Sequence, residues 1–223
     1  MTTDSSPSVR AGHPIRFVEI NAENTPDNGQ LIEQIITTDR TGVVVKNVLS
    51  QGVLDTATDR MTSSQLAHRW GSPNAGMVGG EIRTIGDAAT PTFTSFGGPT
   101  LHRYAQSLDA HTLRTQEIFD GQSPTQSLQR VFSALFGDKP ASPPRLDDTR
   151  PWAPYNFRSL DPGVQIYSHH DNHYGLDIYQ HLDACYDRSV LLSWFVVLQG
   201  AESGGELVVY GLWGSDPNPP MLP

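Results

Sequence analysis

The sequence predicts an α+β fold, with helices in the first two thirds of the 223-residue chain and antiparallel strands in the last third. Three observations support this division. Before residue 137, apolar residues recur every three or four positions, as they do on one face of a helix. Residues 139–154 contain five prolines and separate the two parts. Beyond them, β-branched and aromatic runs alternate with turns that contain glycine or proline, which is typical of strands.

Four segments of the first part predict helices. Residues 27–36 have apolar side chains at helical spacing behind a polar cap. In the last of the four, Ser123 is a cap, Pro124 occupies the first helical position and Gln126 completes a capping box, whereas Gly137 ends the helix. The predicted helices cover residues 27–36, 63–70, 101–119 and 124–136.

Strands are predicted from β-branched and aromatic runs that end at turn residues. Asp161, Pro162 and Gly163 form a turn between two such runs, so these runs predict a hairpin. Residues 71–99 are rich in Gly, Pro and Thr, and we expect an irregular stretch with short strands that shapes a pocket. The predicted strands cover residues 43–49, 155–160, 164–169, 191–198 and 206–210, and residues 191–198 are expected to be buried.

The chain length is that of one domain with arms. Residues 1–14 are polar and predict a disordered arm, and residues 15–223 form the single domain. Within that domain, residues 15–150 are mainly helical and residues 151–213 form the strand-rich core. Residues 214–223 form a proline-rich tail.

Composition excludes several classes of partner. With 15 basic and 24 acidic residues the net charge is −9, so no basic surface is available for nucleic acid or an anionic membrane. The longest apolar run, residues 190–198, is far shorter than the roughly 20 residues that span a bilayer. Cys185 is the one cysteine, and no secretory signal is visible at the start. We therefore expect a cytoplasmic protein that acts on a small molecule.

Four of the eight histidines lie between residues 169 and 181, at the end of a predicted strand. Because alternate residues of a strand face the same side, His169 and Asp171 are expected to point together, with Tyr167 beside them. Imidazole nitrogen and carboxylate oxygen are donors that suit Fe(II), Mn(II) or Zn(II). His169 and Asp171 therefore predict two ligands of a two-histidine, one-carboxylate metal site, although a structural hydrogen bond between them is the alternative.

Asn156 and Arg158 lie on one face of the preceding predicted strand. Arginine presents a planar fork of donors that matches a carboxylate, so these two residues are candidates for binding one. A solvated face is the alternative for both residues.

Four motifs in the last third occur in an order that resembles one known group of enzymes. They are residues 158–163 (RSLDPG), 169–172 (HHDN), 192–199 (LSWFVVLQ) and 204–210 (GGELVVY). Together they resemble the Fe(II)/2-oxoglutarate-dependent oxygenase superfamily, over about residues 150–213.

The resemblance implies a double-stranded β-helix core, a jelly-roll or cupin-like fold, flanked by N-terminal helices. It implies Fe(II) at His169 and Asp171, and oxidation of a small substrate coupled to decarboxylation of 2-oxoglutarate. Tyr167, Arg158 and Asn156 are then the candidates for contacting this cosubstrate, and filling the barrel is the alternative role of Tyr167.

The sequence departs from the superfamily pattern near its end. The superfamily supplies a second histidine ligand on a later strand, followed by an Arg or Lys that pairs with 2-oxoglutarate. Here no histidine follows His181, and no Arg or Lys follows Arg188. Four strands are predicted from residue 155 onward, whereas a jelly roll uses eight. The resemblance therefore lacks its C-terminal part, and His173 or His181 is the alternative third ligand.

Asp171 indicates which of two reactions, hydroxylation or halogenation, the motif favours. Halogenating relatives replace this carboxylate with Gly or Ala, which frees a position on the metal for chloride. Since the carboxylate is present here, the motif favours hydroxylation of a small metabolite or amino-acid-like substrate over halogenation.

Two functions other than an active oxygenase remain open. In the first, the chain is a catalytically incompetent homologue, which acts either as a binding module or as half of a two-chain assembly. In that assembly a second copy or another partner supplies the missing strands. In the second, the chain is a cupin-like metalloenzyme that does not use 2-oxoglutarate.

Overall fold

The computed structural model describes five parts of the chain, namely residues 14–63, 82–85, 99–166, 190 and 192–209. The described part is a mixed helix and strand structure with two two-stranded sheets and no closed barrel. This confirms that helices and strands are mixed in the chain, whereas the jelly-roll core stays a prediction. The predicted arm falls almost entirely outside the described residues, and the proline-rich tail falls wholly outside them.

Within these residues, the structure contains four strands and four α-helices, with two short 3-10 turns between the first strand and the first helix. In chain order they are β1 (Phe17–Asn21), the turns Ala22–Asn24 and Pro26–Asn28, α1 (Leu31–Ile36), β2 (Gly42–Lys46), α2 (Gln51–Thr62), β3 (Ile82–Ile85), α3 (Pro99–Ile118), α4 (Pro124–Leu135) and β4 (Phe157–Leu160).

The first sheet is a parallel pair, in which β1 runs beside β2 from the Phe17–Gly42 pair to the Asn21–Lys46 pair. Parallel neighbours need a crossover connection, and α1 lies within it. A Cβ atom on Gly42 would lie 2.5 Å from the exposed Phe17 ring, so a larger residue at this position would require that ring to move. The strand predicted at residues 43–49 is confirmed in its first part. It ends at Lys46 because Asn47 adopts a φ of 60°.

The second sheet is the antiparallel pair of β3 and β4, with Ile85 opposite Phe157 and Ile82 opposite Leu160. Strand β4 confirms the strand predicted at residues 155–160. Its partner β3 comes from the stretch that was expected to be irregular with short strands. After β4, the Val164 amide donates to the Asp161 carbonyl at 3.0 Å, and Gly163 has the positive φ that a turn of this kind requires. The turn is confirmed. Residues 164–166 of the predicted second strand belong to no strand, and residues 167–169 lie outside the described residues, so the hairpin stays a prediction.

Helices α3 and α4 confirm two of the sequence predictions. Pro124 begins α4, and Gly137 follows it with a φ of 64°. Ser123 precedes the helix in an extended conformation, but its side chain makes no capping hydrogen bond, so the predicted capping box with Gln126 is wrong. Helix α1 confirms the C-terminal part of the helix predicted at residues 27–36, because Pro26–Asn28 form a 3-10 turn instead.

The helix predicted around residues 63–70, with Ser63 or Ser64 as its cap, stays a prediction because residues 64–70 lie outside the described part. Ser63 ends α2 in an extended conformation with a ψ of 148°. Helix α2 itself has three threonines and a glycine, which lower its intrinsic propensity. It forms because Ala57 and Met61 are buried in the core, and the Thr56 hydroxyl donates to a carbonyl one turn back at 2.8 Å.

The strands predicted at residues 191–198 and 206–210 are not observed in the part of these segments that the structure describes. Residues 192–198 and 206–209 have no regular secondary structure, and most of their side chains are exposed rather than buried. A β-branched sequence favours a strand, but a strand forms only where a neighbour supplies backbone hydrogen bonds. No described segment pairs with these residues.

Two buried clusters form the core. The larger one joins α2, β3, the end of α3 and β4, through Ala57, Met61, Ile85, Ile118, Phe119 and Phe157. In the smaller one, residues 145–152 fold back onto α3, so Leu146 and Trp152 pack against Tyr104, Ala105 and Leu108. The proline-rich segment is therefore anchored to the helices and is not a free linker.

An ion pair holds the folded-back segment in place. The Arg150 guanidinium donates to the Ala105 carbonyl at 2.8 Å and to Asp147 at 2.6 Å. The bonds from Arg150 and Thr149 hold the pKa of Asp147 well below its ordinary range.

Among the described helices, none is long and apolar enough to cross a membrane.

Candidate functional site

The sequence-predicted site residues are divided between two parts of the chain. His169, Asp171 and Tyr167 lie outside the described residues, as do both alternative third ligands, so their roles stay predictions. Asn156 and Arg158 are described, and they lie at the start of the chain segment that leads into the His-x-Asp motif.

Arg158 lies in β4, where its side chain is exposed and its register partner is Thr84. The neighbouring Phe157 is buried in the core, so Arg158 projects from the opposite face of the sheet. Asn156 precedes the strand by one residue and is half-buried. The hydroxyl oxygen of Thr84 is buried and has no hydrogen-bond partner among the residues that the structure describes. The Arg158 face therefore combines a solvent-accessible guanidinium with an unsatisfied hydroxyl on the opposite strand.

Behind this strand lies an aromatic cluster, which we define as His111, Phe132, Tyr155, Phe157 and Trp194. Tyr155 is its centre, because its ring contacts three of the others with centroid distances of 5.5 to 6.3 Å. Trp194 also packs edge-on against Phe132 at 5.4 Å. Edge-to-face packing at these distances is favourable. The cluster therefore joins α3, α4, the start of β4 and residues 192–198.

The Tyr155 hydroxyl is the polar group at the centre of this cluster. It lies 3.1 Å from the Thr125 hydroxyl, and either oxygen can be the donor. Burial raises the pKa of Tyr155 above its ordinary value of 10.0, and hydrogen bonds to Thr125 and Thr115 partly offset that effect. Tyr155 is therefore a neutral hydrogen-bonding group at physiological pH, and not a base.

His111 is the buried histidine of the cluster, with 5% of its surface exposed. Helical spacing places it on the same face of α3 as Tyr104 and Leu108, and this much was visible in the sequence. Its contact with Tyr155 and Phe157 was not visible, because those residues lie more than 40 positions further along the chain. Sequence patterns within one helix contain no signal for such a contact.

Within the described ranges, no three His, Cys, Asp or Glu side chains come together in a way that could hold a metal ion. Two cavities open in the same part of the structure. One, of about 190 Å³, lies between the starts of α2 and α4, and the other, of about 650 Å³, lies between α2 and residues 198–200. Neither is lined by a histidine, so neither offers the imidazole donor that was predicted for the metal.

Residues 14–220 match the family model described as carrier-protein-independent halogenase WelO5. The chain belongs to this family. The match spans the described helices, both sheets and the His-x-Asp motif. No curated protein matches the chain.

The WelO5 family is part of the Fe(II)/2-oxoglutarate-dependent oxygenase superfamily, so the resemblance drawn from the motifs is confirmed. The chain is therefore an oxygenase-type enzyme, and Fe(II) and 2-oxoglutarate are the cofactors that family membership indicates. The family model is named for a halogenase, and hydroxylation, which Asp171 favours, stays a prediction.

The donor chemistry of the motif fits this metal. His169 offers an imidazole nitrogen and Asp171 a carboxylate oxygen, and both are ligand types of non-haem Fe(II) sites. On the described side of the motif, Arg158 offers the donors that a carboxylate of 2-oxoglutarate accepts.

Proposed function

We propose that this WelO5-family enzyme hydroxylates a small, free metabolite, using Fe(II) and 2-oxoglutarate. The observation that supports hydroxylation is Asp171, which stands two residues after His169 in the position of the carboxylate ligand. The description of the family model, carrier-protein-independent, supports a substrate that is not attached to a carrier protein.

In this proposal His169 would hold the iron through an imidazole nitrogen and Asp171 through a carboxylate oxygen. When bound, Fe(II) and 2-oxoglutarate supply an O2-dependent oxidation of a C–H bond that releases succinate and CO2. Asp171 would fill a ligand position that chloride takes in its absence. Because a bound carboxylate also neutralises part of the metal charge, it disfavours an additional anion.

Arg158 contributes to binding the cosubstrate. Its guanidinium is exposed and presents paired donors, which suit a carboxylate group. The Thr84 hydroxyl, which is buried without a partner on the opposite strand, offers a further donor on the same face. The aromatic cluster behind β4 contributes by packing, since Tyr155 and Phe157 keep water away from the core side of this strand.

The anaerobic spectrum of the enzyme with Fe(II) and 2-oxoglutarate tests this proposal. We expect the weak visible charge-transfer band that arises when 2-oxoglutarate chelates the iron, and slow succinate release in air. His169→Ala should lose both signals by at least about 100-fold, because removal of a direct ligand exceeds the effect of removing a group behind it.

His102→Ala is the matched control. It removes the same kind of side chain from an exposed position on α3, where His102 contacts Gln106, and it should leave both signals unchanged. An absent band in the native protein, at high concentration of protein and cosubstrate, would support the binding-module or cupin-like alternatives instead.

Halogenation is the second candidate, because the family model is that of a halogenase. The effect of added chloride on the charge-transfer band distinguishes halogenation from hydroxylation. With Asp171 as a ligand, we expect chloride to leave the charge-transfer band of the native enzyme unchanged. In Asp171→Gly, chloride should shift the band with a saturable dependence. A saturable chloride shift in the native enzyme would contradict hydroxylation and establish a halide position.

A further inference from the structure

Residues 145–153, which we call the anchored loop, lie against one turn of α3 although they belong to no helix or strand. The Leu146 amide donates to the Arg150 carbonyl and the Trp152 amide donates to the Pro144 carbonyl, both at 2.9 Å. These bonds close the loop on itself. The side chains of Leu146 and Trp152 are buried against α3, with 5% and 6% of their surface exposed. The loop therefore has a definite conformation, which its own side chains stabilise.

Two polar contacts attach the anchored loop to α3. The Arg150 guanidinium donates to the Ala105 carbonyl at 2.8 Å, and the Tyr104 hydroxyl accepts from the Ala153 amide at 3.1 Å. The Tyr104 ring also packs against the Trp152 ring, with 5.2 Å between the centroids. Because Tyr104 and Ala105 are consecutive residues, these contacts hold the loop at one place on the helix.

Arg150 joins the internal structure of the loop to α3. Its Nε and Nη2 atoms donate to one carboxylate oxygen of Asp147, at 2.9 and 2.6 Å, while Nη1 donates to the Ala105 carbonyl. The other carboxylate oxygen of Asp147 accepts from the backbone amides of Thr149 and Arg150. A lysine at this position would keep the charge, but it lacks the planar set of nitrogens that reaches both acceptors.

The anchored loop leads directly into the strand that presents Arg158. Ala153 is four residues before Phe157, where β4 begins. Since a chain advances at most about 3.5 Å per residue, the attachment of Ala153 limits how far the start of β4 can move from α3. Arg158 is exposed, so the position of its guanidinium depends on the backbone of β4 rather than on burial of the side chain.

We propose that Arg150 is a positioning residue for the face of β4 that carries Arg158. Arg150 fixes the anchored loop on α3, the loop fixes the start of β4, and the strand then presents Arg158 to a carboxylate of 2-oxoglutarate. Arg150 acts through Arg158 and does not itself contact the cosubstrate. This inference rests on the proposed function, in which Arg158 binds that carboxylate.

The dissociation constant of 2-oxoglutarate tests the proposal, and the charge-transfer band of the Fe(II)-loaded enzyme without oxygen measures it. Arg150→Lys should raise this constant about fivefold, because the loop loses hydrogen bonds while the charge is kept. Asp147→Asn weakens the same contact and should raise the constant by less. Arg130→Lys is the matched control, since Arg130 donates to Ser127 within α4, and it should leave the constant unchanged.

A double-mutant cycle separates positioning from general destabilisation. Arg158→Gln alone should raise the dissociation constant more than Arg150→Lys does, because it removes the group that binds the carboxylate. In the Arg158→Gln background, Arg150→Lys should add nothing, since the guanidinium that it positions is gone. An equal effect of Arg150→Lys in both backgrounds would show that the loop only supports the fold, and this result would overturn the proposal.

Hydrogen exchange of the metal-free protein gives a measurement that does not depend on the cosubstrate. In Arg150→Lys, the amides of the anchored loop and of β4 should exchange at least about threefold faster than in the native protein, while those of β1 and β2 keep their native rates. Faster exchange that is confined to the loop, with β4 unchanged, would contradict an effect of Arg150 on the strand.

Failure of this inference differs from failure of the proposed function. A native enzyme without the charge-transfer band contradicts the proposed function, and the inference fails with it. A native band whose dependence on 2-oxoglutarate is unchanged in Arg158→Gln overturns the role of Arg158, and again the inference fails with it. If Arg158→Gln weakens binding and Arg150→Lys does not, the inference about Arg150 is wrong and the proposed function stands.

Discussion

The strand β4 and the exposed segment 192–198 both lie in regions that the sequence predicts as strands, and each contains a phenylalanine, but the two phenylalanines have opposite environments. Phe157 in β4 is 6% exposed, because β3 pairs with the strand and helices α2 and α3 cover its inner face. Phe195 is 62% exposed, and no described strand lies beside it. The comparison shows that sequence propensity made both segments candidates for strands, and that a backbone partner determined which of them became one.

Truncation of the two phenylalanines gives the largest expected difference between these regions. Phe157→Ala should lower the free energy of unfolding by about 3–5 kcal/mol, since it removes a buried ring that contacts Phe119 and Tyr155. Phe195→Ala should change it by no more than about 0.5 kcal/mol. Urea unfolding of dilute protein measures both values. Equal losses for the two variants would show that the exposed segment is buried in solution.

Trp194 tests how firmly the exposed segment is attached to the protein. Trp194→Ala removes ring contacts to Phe132 and Tyr155, but the side chain is 39% exposed. We therefore expect a loss of about 1–2 kcal/mol, which lies between the values for a buried and an exposed ring. Val197→Ala, in the same segment but facing solvent, is the control and should cost less than about 0.5 kcal/mol. A negligible effect of Trp194→Ala would mean that the segment is not attached through this ring.

The smallest expected effect concerns the Tyr155 hydroxyl, at the contact between the two regions. Tyr155→Phe removes the hydrogen bond to Thr125 and should lower the unfolding free energy by about 1 kcal/mol at pH 7. The variant keeps the ring contacts to Phe157 and Trp194, so the packing of the cluster should be preserved.

The same residue predicts a pH dependence with a definite sign. Burial raises the folded-state pKa of Tyr155 above the ordinary 10.0, so the folded state holds this proton more tightly than the unfolded state. Its contribution is complete below pH 10 and decreases as the pH rises from 10 through the raised folded value. Unfolding free energies between pH 9 and 11 should fall more steeply for the native protein than for Tyr155→Phe. Thr125→Val, which loses the hydrogen bond but keeps the titrating group, should retain the steep slope.

The accuracy of the sequence predictions depended on how local each feature is. Helix α4 was predicted with both ends because Pro124 and Gly137 act within a few residues of the helix that they delimit. Helix α2 was missed because its threonines and Gly52 disfavour a helix locally, and its burial against β3 and β4 stabilises it.

In the candidate site, too, some features could be predicted from local sequence and others depended on contacts between distant residues. The order of the motifs identified the superfamily, which the match to residues 14–220 confirmed. The placement of Arg158 on the face opposite the core, beside the buried hydroxyl of Thr84, depended on the pairing of β3 with β4. That pairing joins residues about 75 positions apart, and periodicity within either strand cannot indicate it.

By itself, the sequence determined the mixture of helices and strands, helices α3 and α4, the turn after β4 and the superfamily. Each of these depends on residue type and spacing within a short stretch, or on the order of such stretches. Only the tertiary structure decided that β3 pairs with β4, that Tyr155 gathers the rings of His111, Phe157 and Trp194 around it, and that residues 192–198 lie exposed. The physical reason is that strand pairing and burial depend on contacts between distant parts of the chain, and these contacts form only when the whole chain folds.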